Sequence, residues 1–386
     1  MSAPVRSVYV HAPFCARRCA YCDFAVHVDA RPDAAAWVDA IAREWALLRD
    51  LDEAPMGLLR TLYVGGGTPS LLGVDAMEGL RAIFSAVLPS SGLEWTVEAN
   101  PESFDAPLGD AWRRTGVNRL SFGVQSFDPA ALRWMGRLHG PDGAERAVGL
   151  ARAAGFDNLS LDLIFALPLR LERNWREDLE RALALEPEHI SLYGLGVEAR
   201  TPLGRAVAEG REAPVDEGQY REEFLTAVEV LGAAGYQHYE VSNFALPGRQ
   251  SAHNQVYWSG EPYLGLGNGA HSYRPPRRRW NLRDWAEYRE RVHSGHLPRE
   301  EEEVVEGASR RLERIWLGLR IEAGLEMRGW TPLAMALVER WVDSGWAERT
   351  SGRVRLTSEG WLLLDELAVA LDGTLATADP LFAADG

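Results

Sequence analysis

The sequence predicts an α/β protein: a partial (β/α)6 barrel, then an α+β extension, then a C-terminal winged-helix-like domain. Three observations carry that expectation. Short β-branched or aromatic runs alternate with helical stripes through the first two hundred residues. They repeat at roughly 30 residues, the length of a strand–helix–strand unit. The alternation weakens near Thr201, where Pro202, Gly204, Gly210 and Pro214 interrupt it. Strands separated by helices run parallel, and their right-handed crossovers curve a sheet toward a full or partial barrel.

The strand candidates are 7–10, 61–64, 94–98, 119–124, 159–165 and 189–193. Between them, Trp37, Ile41, Trp45 and Leu48 form one apolar helical stripe, and Leu80, Ile83, Phe84 and Val87 another. In such an arrangement the loops after the strands share one rim, where polar strand-end residues become site candidates. The first strand leads to Cys15, Cys19 and Cys22, and the second to Gly65, Gly66, Gly67, Thr68 and Pro69. Glu98 and Asn100 end the third, Gln125 follows the fourth, Asp162 lies in the fifth and Tyr193 ends the sixth. A helix over 219–231 precedes a Gly- and aromatic-rich stretch, 236–273, that reads as loops shaped for a ligand or an interface. Beyond the charge run at 300–303, helices over 310–319 and 332–343, a hairpin turning at Ser351-Gly352 and a helix over 359–371 resemble a winged-helix module. The expected divisions are 1–205, 206–300 and 301–386.

With 46% hydrophobic and 25% charged residues, the chain of 386 residues has globular composition. No run reaches the ~18 apolar residues of a membrane span, and the start lacks the build of a secretory signal, so a cytoplasmic protein is expected. A net charge of −15 argues against nucleic-acid binding by bulk charge, and the terminal module is expected to be a structural or partner-binding appendage. All 41 cationic side chains are arginine. Without lysine there is no Walker-type phosphate loop and no Schiff-base chemistry. Arg274, Arg277, Arg278 and Arg279 make one dense basic patch, suited to carboxylates of a ligand or partner, or else a solvated loop.

Three cysteines, all within "HAPFCARRCAYCDF", make a disulfide framework unlikely chemistry and point to metal ligation. A CxxxCxxC loop can ligate three irons of a cubane and leave the fourth open; the rival is a Cys₃His zinc site completed by His11 or another histidine. Together with "YVGGGTPSLL", "VEANPES", "GVNRLSFGVQSF" and "LSLDLIFALP", the loop resembles the radical S-adenosylmethionine (SAM) superfamily, specifically its anaerobic coproporphyrinogen III oxidase-like group. That resemblance covers nearly the whole chain. It implies a radical-SAM barrel holding a 4Fe-4S cluster, with SAM chelating the open iron and cleaved by a cluster electron.

Two branches of the group differ. The oxidase branch has a further cysteine where this chain has Phe24, whereas the haem-chaperone branch, HemW, has Asp-Phe there and an HNxxYW element, matched by Asp23-Phe24 and by His253, Asn254, Tyr257 and Trp258. The chaperone branch is therefore favoured, with oxidative decarboxylation of coproporphyrinogen III as the alternative and an RNA-modifying radical SAM protein as a more distant one. The resemblance implies haem as cargo, haem-accepting respiratory proteins as partners, and peripheral membrane association through them. It assigns Cys15, Cys19 and Cys22 to the cluster, and Tyr9, Tyr21, Gly66, Gly67, Thr68, Glu98, Gln125, Arg137 and Asp162 to SAM. His253 is the expected haem ligand, with His271 and His238 as rivals. Ser251 stands where relatives often carry a cysteine, so no thiolate is left for haem. No residue is assigned a catalytic role.

Overall fold

The computed structural model describes residues 4–55 and 57–375; the last eleven residues of the expected third region, 376–386, lie outside them. The six expected strands are β1 Ser7–Ala12, β2 Thr61–Gly66, β3 Glu94–Ala99, β4 Arg119–Gln125, β5 Leu159–Phe165 and β6 His189–Gly194. They pair in parallel and in chain order. Most run a residue or two further than side-chain pattern implied. At those ends the backbone keeps pairing through residues with little strand signature, as in His11↔Gly65 and Ala12↔Gly66.

Helices α1 Ala34–Asp50, α2 Asp75–Ile83, α3 Ala106–Thr115, α4 Pro129–Met135, α5 Gly143–Ala153 and α6 Trp175–Ala184 cover the sheet's outer face. Asp33, Asp105, Asp128 and Asn174 start four of them, each side chain accepting a first-turn amide hydrogen that would otherwise lack a partner. The α1 stripe of Trp37, Ile41, Trp45 and Leu48 is buried as its 3.6-residue spacing requires. In the second stripe Leu80 and Phe84 are buried, but α2 stops at Ile83, so Val87 packs from the following turn.

The segment expected as a loop-rich extension supplies strands to this same sheet. After α7 Pro202–Ala208 and α8 Glu217–Ala233 come β7 Gln237–Glu240, β8 Asn243–Ala245, α9 Ala252–Ser259 and β9 Leu264–Leu266. The nine-stranded order is β9-β1-β2-β3-β4-β5-β6-β8-β7, with β9 parallel to β1 and β8 antiparallel to β6. The sheet is therefore open, a partial barrel whose first strand is flanked on both sides.

A second sheet, β10 His271–Arg274, β11 Arg277–Asn281 and β12 Arg299–Val304, accounts for two charge runs at once. Arg277 pairs with Glu302 at 3.0 Å and Arg278 with Glu303 at 2.9 Å across the β11–β12 ladder, while Arg278 also meets Glu313 and Arg279 meets Glu53. The basic patch is thus neither a solvated loop nor an open cationic surface. Its partners are internal, and the acidic run at 300–303 is one of them.

After α10 Trp285–His293, the terminal unit contains α11 Gly307–Arg320, β13 Leu325–Glu326, α12 Pro332–Asp343, β14 Ala347–Thr350, β15 Arg353–Leu356, α13 Ser358–Trp361 and α14 Leu364–Asp372. The hairpin turns at Ser351 and Gly352, both at positive φ. The helix expected over 359–371 is broken instead, as Trp361 turns inward to donate from its indole to Leu319 O at 2.9 Å. Among the described residues no helix is long and apolar enough to cross a membrane.

Arg320 fastens this unit to the barrel. Its guanidinium lies 2.8 Å from fully buried Glu240 on β7 and stacks over Trp258 and Trp316, at 4.1 and 5.2 Å from the ring centroids. Removing one partner of a buried ion pair strands the other charge. Arg320→Ala is expected to lower unfolding free energy by roughly 3–5 kcal/mol, read from urea denaturation; a loss below about 1 kcal/mol would show that the pair behaves like a surface contact.

Candidate functional site

β1 ends at Ala12 and passes directly into the cysteine loop, which closes on itself. Phe14 and Cys15 pair in parallel with His27 and Val28, and His27 N and Asp29 N donate to Pro13 O and Cys15 O at 2.7 and 2.9 Å. Within this lasso Cys22 N donates to Cys19 O at 3.3 Å. The three thiols are free, partly buried, and line one cavity of about 910 Å³ at the C-terminal rim of the parallel strands. Every residue expected to hold the cluster or SAM lines that cavity; His253 does not.

The glycine element after β2 packs onto the exit of β1. Gly67 N donates to Ala12 O at 2.8 Å and Thr68 N to Phe14 O at 2.7 Å. Gly66 sits at φ 110°, where a Cβ would fall 2.2 Å from the His11 ring; a Cβ on Gly67 would fall 2.6 Å from Phe14 O. Only glycine permits both conformation and approach. The result is a bare backbone wall beside the thiols.

From Cys15 a hydrogen-bonded relay crosses the rim. Thr68 Oγ1 donates to Cys15 Sγ at 3.7 Å, Asn100 Nδ2 donates to Thr68 Oγ1 at 3.1 Å, and Arg137 Nη2 donates to Asn100 Oδ1 at 2.7 Å and also to Gly123 O. Arg137 reaches inward because Gly136 ends α4 in the left-handed conformation. Burial pushes the Cys15 thiol up to about 11, against the donor effect of Thr68 and the charge of Arg137.

Deeper in the barrel, Glu98 accepts from Tyr63 OH at 2.7 Å and from Gly66 N at 2.9 Å. Burial pushes its pKa up to about 7, outweighing those two donors. Asp162 accepts from Ser121 Oγ at 3.1 Å, and burial likewise raises it. Gln125 occupies φ 68° where the β4–β5 register slips, a bulge that re-aims its side chain at the cavity. Tyr9 donates to or accepts from His11 Nδ1 at 3.0 Å and stacks on Tyr63.

His253 is placed differently from the expectation. It is buried on α9, stacked on Tyr63 at 5.0 Å, with Nδ1 2.7 Å from Thr61 Oγ1 and Nε2 2.9 Å from Tyr257 OH. Burial pushes its pKa down to about 3. Both nitrogens are hydrogen-bonded and the ring does not line the cavity, so it packs the barrel wall. Ser251 caps α9, accepting from Asn254 N at 3.2 Å. His238 is enclosed between Phe244 and Trp361, whereas His271 lines the cavity. The cavity is also lined by Tyr193, Tyr257, Tyr263 and Arg283, none of which has a sequence spacing that links it to the cysteines.

Residues 9–182 match the Radical SAM superfamily. Over 381 residues the chain is 32% identical to the heme chaperone HemW of Bacillus subtilis (strain 168), covering 96% of this chain and all of that one. The chain belongs to the HemW-type branch of the radical SAM superfamily. It is also 40% identical over 275 residues to the heme chaperone HemW of Escherichia coli (strain K12), covering 69% and 70% of the two chains. The solved structure of coproporphyrinogen III oxidase (HemN) from Escherichia coli superposes with a TM-score of 0.78 at 21% identity, over 96% of this chain and 91% of that one, a likeness of fold. Membership in the HemW-type branch and the cysteine loop together support iron–sulfur and SAM binding. The described residues hold no set of three His, Cys, Asp or Glu side chains that could grip a single metal ion; a cubane takes its thiolates on separate irons.

In this HemW-type chain the rim depends on a buried carboxylate. Glu44 on α1 accepts from Gly267 N at 2.8 Å, Tyr288 OH at 2.7 Å and Asn281 Nδ2 at 2.6 Å, tying α1 to the turn after β9, to β11 and to α10. Burial outweighs the three donors and pushes its pKa up to about 7 from 4.5. Between those values the folded protein keeps a proton that the unfolded chain has released, so stability falls as pH rises through the window. Glu98 acts with the same sign. Glu44→Gln is expected to remove on the order of 3 kcal/mol from the stability difference between about pH 4.5 and pH 7.5, measured by urea denaturation at each pH; an unchanged slope would show that Glu44 titrates normally.

Proposed function

We propose that this protein binds a 4Fe-4S cluster through Cys15, Cys19 and Cys22, binds SAM at the open iron, and carries haem for delivery to haem-requiring, membrane-associated respiratory proteins in the cytoplasm. The observation that carries the reading is one cavity lined by the cysteine loop, the glycine wall, the strand-end polar groups and Tyr193, Tyr257 and Tyr263 together. Correspondence along nearly the whole chain with relatives named heme chaperone supports the choice of cargo.

When bound, the cluster supplies an electron to the sulfonium of SAM. The chain's own groups do the positioning. The Gly66 and Gly67 backbone admits the methionine moiety closely, Glu98 takes an ammonium or ribose donor, and Arg137, its Nη2 held by Asn100 and Gly123, offers its charge and Nη1 to a carboxylate. Tyr9 and Tyr21 supply aromatic walls that keep water from the nucleotide.

Anaerobic reconstitution with ferrous iron and sulfide is expected to give a brown protein with 4Fe-4S absorption, lost in Cys19→Ser, that takes up SAM and stoichiometric haem. Given coproporphyrinogen III, SAM and a reductant, it is expected to yield no protoporphyrinogen; turnover would replace the chaperone reading with the oxidase one. Protected material that stays colourless and holds zinc would overturn the cluster.

A further inference from the structure

The histidines sort by what their ring nitrogens do. His11, His189 and His253 have both nitrogens hydrogen-bonded, and His238 is enclosed by Phe244 and Trp361. His27, His139, His293 and His296 lie off the cavity. His271 lines it, and among the described residues its nitrogens have no hydrogen-bond partner. Its ring is nonetheless fixed, stacked on Trp280, its cross-strand partner, at 5.5 Å and 25°.

The turn leading into His271 is bolted to the end of the cysteine loop. Asn268 Nδ2 donates to Ala25 O at 3.3 Å and to Arg283 O at 2.9 Å, and Gly267 N is held by Glu44. The same cavity is lined by the rings of Tyr257 and Tyr263, packed edge to face at 4.7 Å, and by Tyr193, 46% exposed. Arg283 donates to Asp23 O at 2.7 Å and has no carboxylate partner among the described residues. Arg17 and Arg18 on the cysteine loop also line the cavity and lack one. The arginines first suspected of binding ligand carboxylates, Arg277 to Arg279, are already paired with glutamates. At about 910 Å³ the cavity lies near the upper end of the ~300–1,000 Å³ usual for small-molecule sites.

We infer that His271 is the axial ligand of haem iron in this cavity, with the Arg283 guanidinium receiving a propionate. This rests on the haem-binding reading above and replaces His253 as the ligand. An imidazole with a free nitrogen is a common iron ligand, tyrosine rings suit a porphyrin face, and guanidinium forks suit carboxylates. Partial burial, with Arg278 and Arg283 nearby, holds the His271 pKa below its ordinary value, leaving the ring neutral as ligation requires.

The test is an anaerobic haem titration of the reconstituted full chain, followed by Soret absorbance and resonance Raman, for wild type, His271→Ala, Arg283→Gln and His253→Ala. In His271→Ala, haem affinity is expected to fall about tenfold or more, with loss of the histidine–iron signature, unchanged 4Fe-4S absorption, and recovery of the signature on adding free imidazole. Arg283→Gln is expected to weaken haem binding while keeping that signature. An identical titration and Raman spectrum for His271→Ala would overturn the assignment alone, as would a histidine–iron signature lost in His253→Ala and retained in His271→Ala. A wild type that takes up no haem overturns the function proposal and this inference with it.

Discussion

Parallel hydrogen bonding among six consecutive strands is the constraint on which the rest of the molecule depends. Strands that run the same way discharge all their following loops at one edge. Side chains separated by more than a hundred residues, such as Cys15 and Asp162, therefore face one space without any local sequence relation between them. β1 is an interior strand, with β2 on one side and β9 on the other. The cysteine loop thus springs from an interior strand of the sheet and is closed by the two-residue pairing of Phe14 and Cys15 with His27 and Val28.

The barrel interior pays little attention to the usual division of polar outside and apolar inside. Glu98, Asp162, Ser121 and Tyr63 point inward while Val8, Val10, Leu62 and Val64 pack against the helices. Enclosure raises the carboxyl groups toward neutrality, and hydroxyl and amide donors partly offset the desolvation. A polar chamber of this kind is costly for stability alone, since apolar residues would fill it more cheaply. Its consistent arrangement around one cavity is what a polar, charged small molecule needs.

Charge in this arginine-only protein is used mostly for internal stitching. Arg320 with Glu240 secures the terminal unit, Arg173 with Asp178 and Glu223 secures α6 and α8, and the β11–β12 ladder consumes the conspicuous basic run. A run of like charges in sequence becomes a neutral sheet when an opposite run returns beside it. That pairing joins residues about 25 positions apart through β11 and β12 and has no signature in either run alone. For the same reason the stretch 236–273 looked like loops: its strands are three or four residues long and gain their identity only from a sheet already built by others.

Periodicity, cysteine spacing and glycine placement are local, and the amino-acid order alone was enough to place the parallel strands, the thiol loop and the backbone wall. The chemistry of those elements is written within a few residues of itself. The choice among histidines is not local. His253 sits in the more distinctive motif, yet α9 folds it against Thr61 and Tyr257, which engage both nitrogens, while His271, in an unremarkable run of small residues, is carried by β10 to the cavity with its ring stacked on Trp280 and its nitrogens unpartnered among the described residues. Tyr257 is a neighbour of His253 on the same helix, but Thr61 lies nearly two hundred residues away, and only packing in three dimensions brings it to the ring.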